Sequence, residues 1–337
     1  MDDIYPILEG MNQQGKMVLA TIIRVEGTAY KKEGTSMLLF EDGNQIGKLT
    51  GDGLETEVAK KAVEVFKEQE AKILHYRMSE EKTLGWDQRT SKNSTLDILL
   101  EYVSDKLKED FSVVKKSLDR CKPVIMLKKL DDLGEYLFIE EEGEPFGNWS
   151  GSIPKIAFTS KSGIMPGPDS IFQLTYNPKP RLIVFGAGPD AKPLVQLAKE
   201  AGFSVLVCDW REEFCQKKNF PKADRLLHGL PEKLLKQISF SPYDFVVIMT
   251  HHFERDRELL KGIEKKHIRY LGVLGPRERT KRLLNLDHIP SWIYSPVGKN
   301  IGAKGPEEIS VSIVAQLIEV RRKPVHEKVQ FLWTIPD

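Results

Sequence analysis

Cysteine is scarce in this chain. Cys121, Cys208 and Cys215 are three thiols among 337 residues. They form no C-x-x-C pair, and no disulfide framework is indicated. An odd and sparse set of this kind fits a reducing compartment. Charge of one sign is also lacking: the net charge is +1, which gives no electrostatic case for nucleic acid. No apolar run approaches the ~18 residues of a membrane span. The opening Met1-Asp-Asp-Ile-Tyr-Pro has neither a basic region nor an apolar core, so no signal peptide is expected. These absences predict a cytoplasmic protein that uses neither membrane nor nucleic acid. What remains, 40% apolar and 29% charged residues, fits a globular chain long enough for two domains.

The first half predicts a small α+β domain. Strands are expected at 17–25, 36–40, 45–49, 73–77, 96–102, 124–128 and 135–139. An amphipathic helix is expected at 54–69, where Leu54, Val58, Ala62 and Val65 recur at helical spacing, and a second at 105–118. Residues 140–180 are rich in Gly, Pro and Ser, with Gly163-Ile-Met-Pro-Gly-Pro168 and Asn177-Pro-Lys-Pro180 as strong punctuation. The expected division is therefore a domain over 1–145, a linker over 146–180, a second domain over 181–325 and a tail over 326–337.

The second half alternates strands and helices, which predicts a Rossmann-like, doubly wound parallel sheet. Its strands are expected at 181–185, 203–208, 224–227, 244–249, 270–274 and near 292–294. The apolar run Leu182 to Phe185 ends at Gly186-Ala-Gly188-Pro-Asp-Ala191, a G-x-G-x-x-A loop opening a helix. Gly186 would allow the tight turn, Gly188 would admit a phosphate close to backbone, and Ala191 would let helix and strand pack closely. Asp209 lies 21 residues past Gly188, about where a ribose-binding carboxylate is expected. The alternatives are a solvated strand-end acid, or a phosphate taken by Arg211. Later motifs also follow strand ends. His251 in Thr250-His-His252 could touch a ligand or be a plain loop residue, and no spaced set of further metal ligands accompanies it. Gly275-Pro276-Arg277 opens another helix, and Arg277 there could neutralise an anion. Gly298 to Glu308 is a glycine loop into a last helix, with Pro306 and two glutamates suited to a helix start. In the first half, Gly51-Asp52-Gly53 is either a ligand-closing loop or a tight strand-to-helix turn.

Taken together, these blocks resemble the XdhC/CoxI family, accessory proteins of xanthine dehydrogenase and related molybdenum hydroxylases. The resemblance is carried by Leu19 to Tyr30, Gly47 to Glu55, Arg181 to Phe214, Met249-Thr-His251, Tyr270 to Arg277 and Pro296 to Glu308. It implies a maturation factor that binds molybdenum cofactor, protects it and delivers it to an apo-dehydrogenase. It implies partnership with a xanthine dehydrogenase-like molybdoenzyme and a cysteine desulfurase, a homodimer, a place in purine catabolism, and no catalysis of its own. Members are often themselves labelled xanthine dehydrogenase, but this chain lacks the iron–sulfur cysteine sets of a molybdenum hydroxylase. The resemblance places Gly186, Gly188, Ala191, Asp209, His251, Gly275 and Arg277 around the cofactor, with Gly51, Asp52 and Gly53 closing from the other domain. The family's glycine loop usually carries a cysteine where this chain has Gly53. A second glycine-cysteine-glycine loop is replaced by Gly85-Trp-Asp-Gln-Arg-Thr-Ser-Lys-Asn-Ser94. Neither loop offers a thiolate. Two other readings stay open: an NAD(P)-dependent oxidoreductase, and a divergent regulatory paralogue.

Overall fold

The computed structural model describes residues 4–27, 32–49, 54–78, 94–141, 143–156, 158, 162–167 and 170–323. The chain divides into two compact units, Met1–Pro178 and Lys179–Asp337.

The first unit holds two antiparallel sheets. Its elements are α1 (Tyr5–Gly10), β1 (Met17–Glu26), β2 (Ser36–Phe40), β3 (Gln45–Gly47), α2 (Leu54–Glu68), β4 (Lys72–Met78), β5 (Ser94–Tyr102), α3 (Asp105–Asp119), β6 (Val124–Lys129), β7 (Tyr136–Glu140), β8 (Phe146–Asn148), β9 (Gly163–Ile164) and β10 (Ile171–Tyr176). The strand orders are β3-β2-β1-β5-β4 and β8-β7-β6-β10-β9. Successive strand residues face opposite ways, so β1 sends Val18, Ala20 and Ile22 to one core and Met17, Leu19 and Ile23 to another. Helix α2 covers the first of these with Leu54, Val58, Ala62, Val65 and Phe66. The second is shared with Leu107, Phe111, Val114 and Leu118 of α3 and with Phe138, Phe172 and Leu174 of the other sheet.

Helix α3 begins at Ser104, whose hydroxyl accepts the Leu107 N–H at 3.2 Å. This satisfies one of the donors that a helix start leaves unpaired. Ser104→Ala is expected to lower stability by about 1 kcal/mol, read as a shift of the urea midpoint with unchanged slope.

Residues 146–180, expected as a linker, contain β8, β9 and β10. Strand β10 is fully buried and pairs with β6 on one side and β9 on the other. The Gly- and Pro-rich composition marks the turns around these short strands.

The second unit carries β11 (Arg181–Phe185), α4 (Ala191–Glu200), β12 (Ser204–Asp209), β13 (Arg225–His228), α5 (Pro231–Gln237), β14 (Asp244–Ile248), α6 (Phe253–Ile263), β15 (Tyr270–Val273), α7 (Arg277–Leu284), β16 (Ile293–Tyr294) and α8 (Gly305–Arg322). The six strands pair in parallel in the order β13-β12-β11-β14-β15-β16. Numbered from β11, this is the order 3-2-1-4-5-6 of a Rossmann sheet, with its switch point between β11 and β14. Leu182, Val184, Val205, Val207, Phe245 and Val247 face α4 and α8. Ile183, Phe185, Leu206, Val246 and Ile248 face α5, α6 and α7. Burial on both faces explains why these strands read as continuous apolar runs.

Among the described residues, no helix is long and apolar enough to cross a membrane.

Candidate functional site

At the switch point the loop after β11 meets the end of β14. Gly186 has φ +116°, and a Cβ there would stand 2.5 Å from the Met249 carbonyl oxygen and 3.0 Å from Thr250 Cα. Only glycine fits, because the obstacle is backbone and the conformation is one that side chains avoid. Gly188 differs: its φ is not positive, and an added Cβ would crowd only the Asp190 carboxylate, with Oδ1 at 2.5 Å. Ala191 opens α4 fully buried in the core between helix and sheet.

Asp209, at the end of β12, is 1% exposed. Its Oδ2 accepts the Ala187 N–H at 2.6 Å and Arg211 Nη2 at 2.8 Å. Its Oδ1 accepts the Arg211 N–H at 2.8 Å and Arg211 Nε at 3.0 Å. Burial disfavours the charged form, but hydrogen bonds from the Arg211 side chain and from the Ala187 and Arg211 amides outweigh it, holding the carboxyl below its ordinary value. The carboxylate therefore ties the glycine loop to the next strand and offers no free lone pair to a sugar diol. The Arg211 guanidinium lies 4.3 Å from the centre of the Phe214 ring and 4.8 Å from that of Trp210.

On the β14 side, His251 has φ +61°. A non-glycine residue in that region is uncommon and marks a constrained site. Its Nε2 lies 2.7 Å from Asp190 Oδ2, so the imidazole reaches across the switch point to the glycine loop. The neighbouring His252 accepts the Arg255 N–H at the start of α6 through Nδ1. Its ring meets Trp210 edge-on at 5.7 Å. Strands β12 and β14 flank β11, so this pair of rings bridges over the strand that carries the loop.

Gly275 and Arg277 follow β15, one strand further out. Gly275 turns with φ +119° into α7. Arg277 gives Nη1 to the Ser295 carbonyl at 3.0 Å and so braces the turn after β16. The α7 arginine that reaches back toward the switch point is Arg279. Its Nη2 donates to Asp256 at 2.6 Å, and the other Asp256 oxygen accepts the Thr250 hydroxyl. Gly51, Asp52 and Gly53 lie outside the described residues. Helix α8 starts as its sequence suggests, with Pro306 in the first turn and Glu308 accepting the Lys304 N–H at 2.7 Å.

The structure thus joins Gly186, Gly188, Ala191, Asp209 and His251 around the ends of β11, β12 and β14. Asp190, Trp210, Asp256 and Arg279 were not singled out from sequence. Asp190 sits inside the glycine motif and was legible there. The others owe their place to tertiary contacts between segments far apart in the chain.

No group of three or more His, Cys, Asp or Glu side chains suited to a metal occurs among the described residues. Cys208 and Cys215 are buried. Burial pushes both thiols up, that of Cys208 most strongly. Cys121 is partly exposed. Alkylation of the native protein is therefore expected to label Cys121 alone, with Cys208 and Cys215 reacting only after denaturation. Peptide mass spectrometry reads this out, and native labelling of Cys208 would contradict it.

Three family models match the chain: the XdhC and CoxI family over residues 11–77, a BH1974-like central domain over 105–177, and the XdhC Rossmann domain over 182–317. The chain is 38% identical over 328 residues to a probable xanthine dehydrogenase component of Bacillus subtilis, covering 96% of this chain and 99% of that one. The crystal structure of a xanthine dehydrogenase (BH1974) from Bacillus halodurans superposes with a TM-score of 0.85 at 43% identity, covering 99% of this chain and 100% of that one. A shorter match, 31% identical over 164 residues, is to the uncharacterized protein YqeB of Escherichia coli, covering 46% of this chain and 30% of that protein.

Proposed function

The chain belongs to the XdhC and CoxI family, and on that premise we propose that it is an accessory factor of a xanthine dehydrogenase-type molybdenum hydroxylase. It binds a phosphorylated cofactor of molybdopterin or nucleotide type on its Rossmann unit and hands it to the dehydrogenase. The observation that carries this reading is the glycine loop at the switch point of a 3-2-1-4-5-6 sheet, in a chain akin over its whole length to proteins called xanthine dehydrogenase. In open α/β sheets that crevice is where phosphorylated ligands bind.

The residues fit the organic part of such a cofactor. The free edge of Arg211 and the loop around Gly188 suit a phosphate, and Trp210 offers a flat apolar face. They do not fit direct capture of the metal, because the described thiols are buried or isolated and no cluster of ligands is present among the described residues. The metal would travel on its own organic ligand. Its partners on this reading are the molybdoenzyme and a cysteine desulfurase, and it acts as a homodimer.

The test is genetic and chemical together. Deleting the gene is expected to leave the dehydrogenase polypeptides present but short of molybdenum cofactor, with activity falling in proportion. Full cofactor content and activity in the deletion strain would sink the delivery role and favour a regulatory paralogue.

A second reading, an NAD(P)-dependent oxidoreductase, draws on one specific observation. His251 and Asp190 form an imidazole–carboxylate pair at 2.7 Å beside the loop, an arrangement able to move a proton. Turnover of a small alcohol or a purine with NAD or NADP by the purified chain, abolished by His251→Gln, would select it.

A further inference from the structure

We propose that the first unit carries a binding site for inorganic phosphate, in which His75 accepts the proton of hydrogen phosphate while Arg24 and Arg77 hold its charged oxygens. The site lies on the first sheet and does not depend on the cofactor reading of the Rossmann unit.

Strands β4, β5 and β1 build it by register. His75 stands opposite Asp97, and Asp97 opposite Arg24. One step along, Arg77 stands opposite Thr95, and Thr95 opposite Glu26. This is the face on which Ile73 and Leu99 meet the core shared by the two sheets. Strand β1 reaches it only through an irregularity. Met17, Leu19 and Ile23 face that core, so an unbroken strand would turn Arg24 and Glu26 into the core under α2. The register shifts between Ile22 and Arg24. Arg24 and Glu26 thereby come round to Asp97 and Thr95, and Val25 packs against the core under α2 instead. Bulges recur beside functional sites because they re-aim side chains in this way. The six polar residues line a half-open cleft of about 290 Å³.

The pairing of these groups sets the ligand. Asp97, with its side chain 14% exposed, takes His75 Nδ1 at 2.7 Å and lies 3.6 Å from Arg24 Nε. A carboxylate on Nδ1 fixes the tautomer, so the neutral ring presents Nε2 as an acceptor. That nitrogen has no partner among the described residues, and the His75 side chain is 73% exposed. Glu26 Oε2 accepts the Thr95 hydroxyl at 3.0 Å. The Arg77 guanidinium and the Nη groups of Arg24 have no acceptor among the described residues. Two guanidiniums against two carboxylates leave little net charge to attract an anion, so selection rests on the pattern of donors and acceptors. Hydrogen phosphate fits that pattern. Its P–O–H donates to Nε2, and its bare oxygens accept from the guanidiniums. Sulfate has the same shape and charge but no proton, and sets an oxygen lone pair against that of Nε2. A phosphomonoester has lost its last proton above about pH 6 and fails in the same way.

The full-length protein is titrated calorimetrically with inorganic phosphate, sulfate and glycerol 3-phosphate in mildly alkaline buffer of fixed ionic strength. Phosphate is expected to bind at least about tenfold more tightly than either of the others, the worth of one hydrogen bond. His75→Ala should bring phosphate down to the level of sulfate, and Arg77→Ala should weaken the two anions alike. Both positions are exposed, so the variants keep the fold. Histidine ring signals in two-dimensional NMR locate the anion: phosphate is expected to shift those of His75 and leave those of His251 in place. Equal affinity for phosphate and sulfate overturns the proposal, as does a failure of phosphate to bind. A shift of His251 with His75 unmoved also overturns it, and assigns the anion to the glycine loop, which leaves the cofactor reading standing.

Discussion

Gly186→Val is expected to be among the most damaging single changes in the second unit. The new Cβ would lie 2.5 Å from the Met249 carbonyl oxygen and 2.7 Å from its carbon. Neither can rotate away, because both belong to the backbone at the end of β14. Overpacking of this kind costs about 1–3 kcal/mol, and a side chain at φ +116° adds about 1–2 kcal/mol more. The summed loss, about 2–5 kcal/mol, is a large part of an ordinary folding free energy. Gly188→Ala is the informative control. Its Cβ would press on the Asp190 carboxylate alone, which can swing aside, so its cost should stay below about 1 kcal/mol. Urea denaturation of the full-length protein distinguishes them. Equal stabilities of the two variants would show that the two glycines do not divide the work in this way.

Asp209→Ala should cost about 3 kcal/mol. It removes the partner of a partly buried guanidinium and leaves the Ala187 N–H, itself buried, without an acceptor. Breaking a buried pair costs more than the intact pair contributes, since the remaining group keeps its desolvation penalty. The pH dependence follows from the lowered native pKa of Asp209. A group depressed in the folded state contributes stability above its unfolded value, near 3.9 for Asp. That contribution disappears as pH falls through the lower folded value. The stability gap between wild type and Asp209→Ala should therefore hold from neutral pH down to about pH 4 and narrow below it. This also separates two roles for Asp209. A carboxylate that reads a ligand's sugar would lower affinity on removal with little change in the stability of the free protein. A carboxylate that braces the loop lowers stability first. A variant as stable as wild type at pH 7 would contradict the bracing role.

Most of the secondary structure was legible in the sequence, for identifiable reasons. The strands of the second unit are buried on both faces, so they read as unbroken apolar runs, and β11 matches the run at 181–185 to the residue. Helix α2 shows its buried stripe as Leu54, Val58, Ala62 and Val65. The strands β8 to β10 were hidden because two of them are three residues or fewer and all three lie among glycines and prolines. Strand β10, at Ile171–Tyr176, alternates Gln173 and Thr175 with Phe172, Leu174 and Tyr176, yet is buried along its whole length.

The site was legible in part. The glycine loop announced itself, because a turn against backbone admits only glycine and the following helix needs a small first residue. The role of Asp209 did not, since its spacing from Gly188 is the same whether it faces a ligand or folds back on Ala187. Arg277 stands beside the glycine turn in sequence, but the α7 arginine that turns toward β14 is Arg279. Residues two apart on a helix point in different directions, and the sequence does not say which direction holds Asp256 and which Ser295.

The chain alone determined its family, the parallel sheet and the location of the loop. These follow from local patterns, namely apolar runs, glycine spacing and blocks in a fixed order, which need no partner in space to be read. Tertiary structure decided which polar groups remain open to a ligand. Asp209 is consumed by Arg211 and Ala187, while Asp190 takes one ring nitrogen of His251 and Ser295 one donor of Arg277. Those pairings depend on how strand ends far apart in sequence come to lie side by side, and a hydrogen bond made within the protein removes the same donor or acceptor from any other molecule.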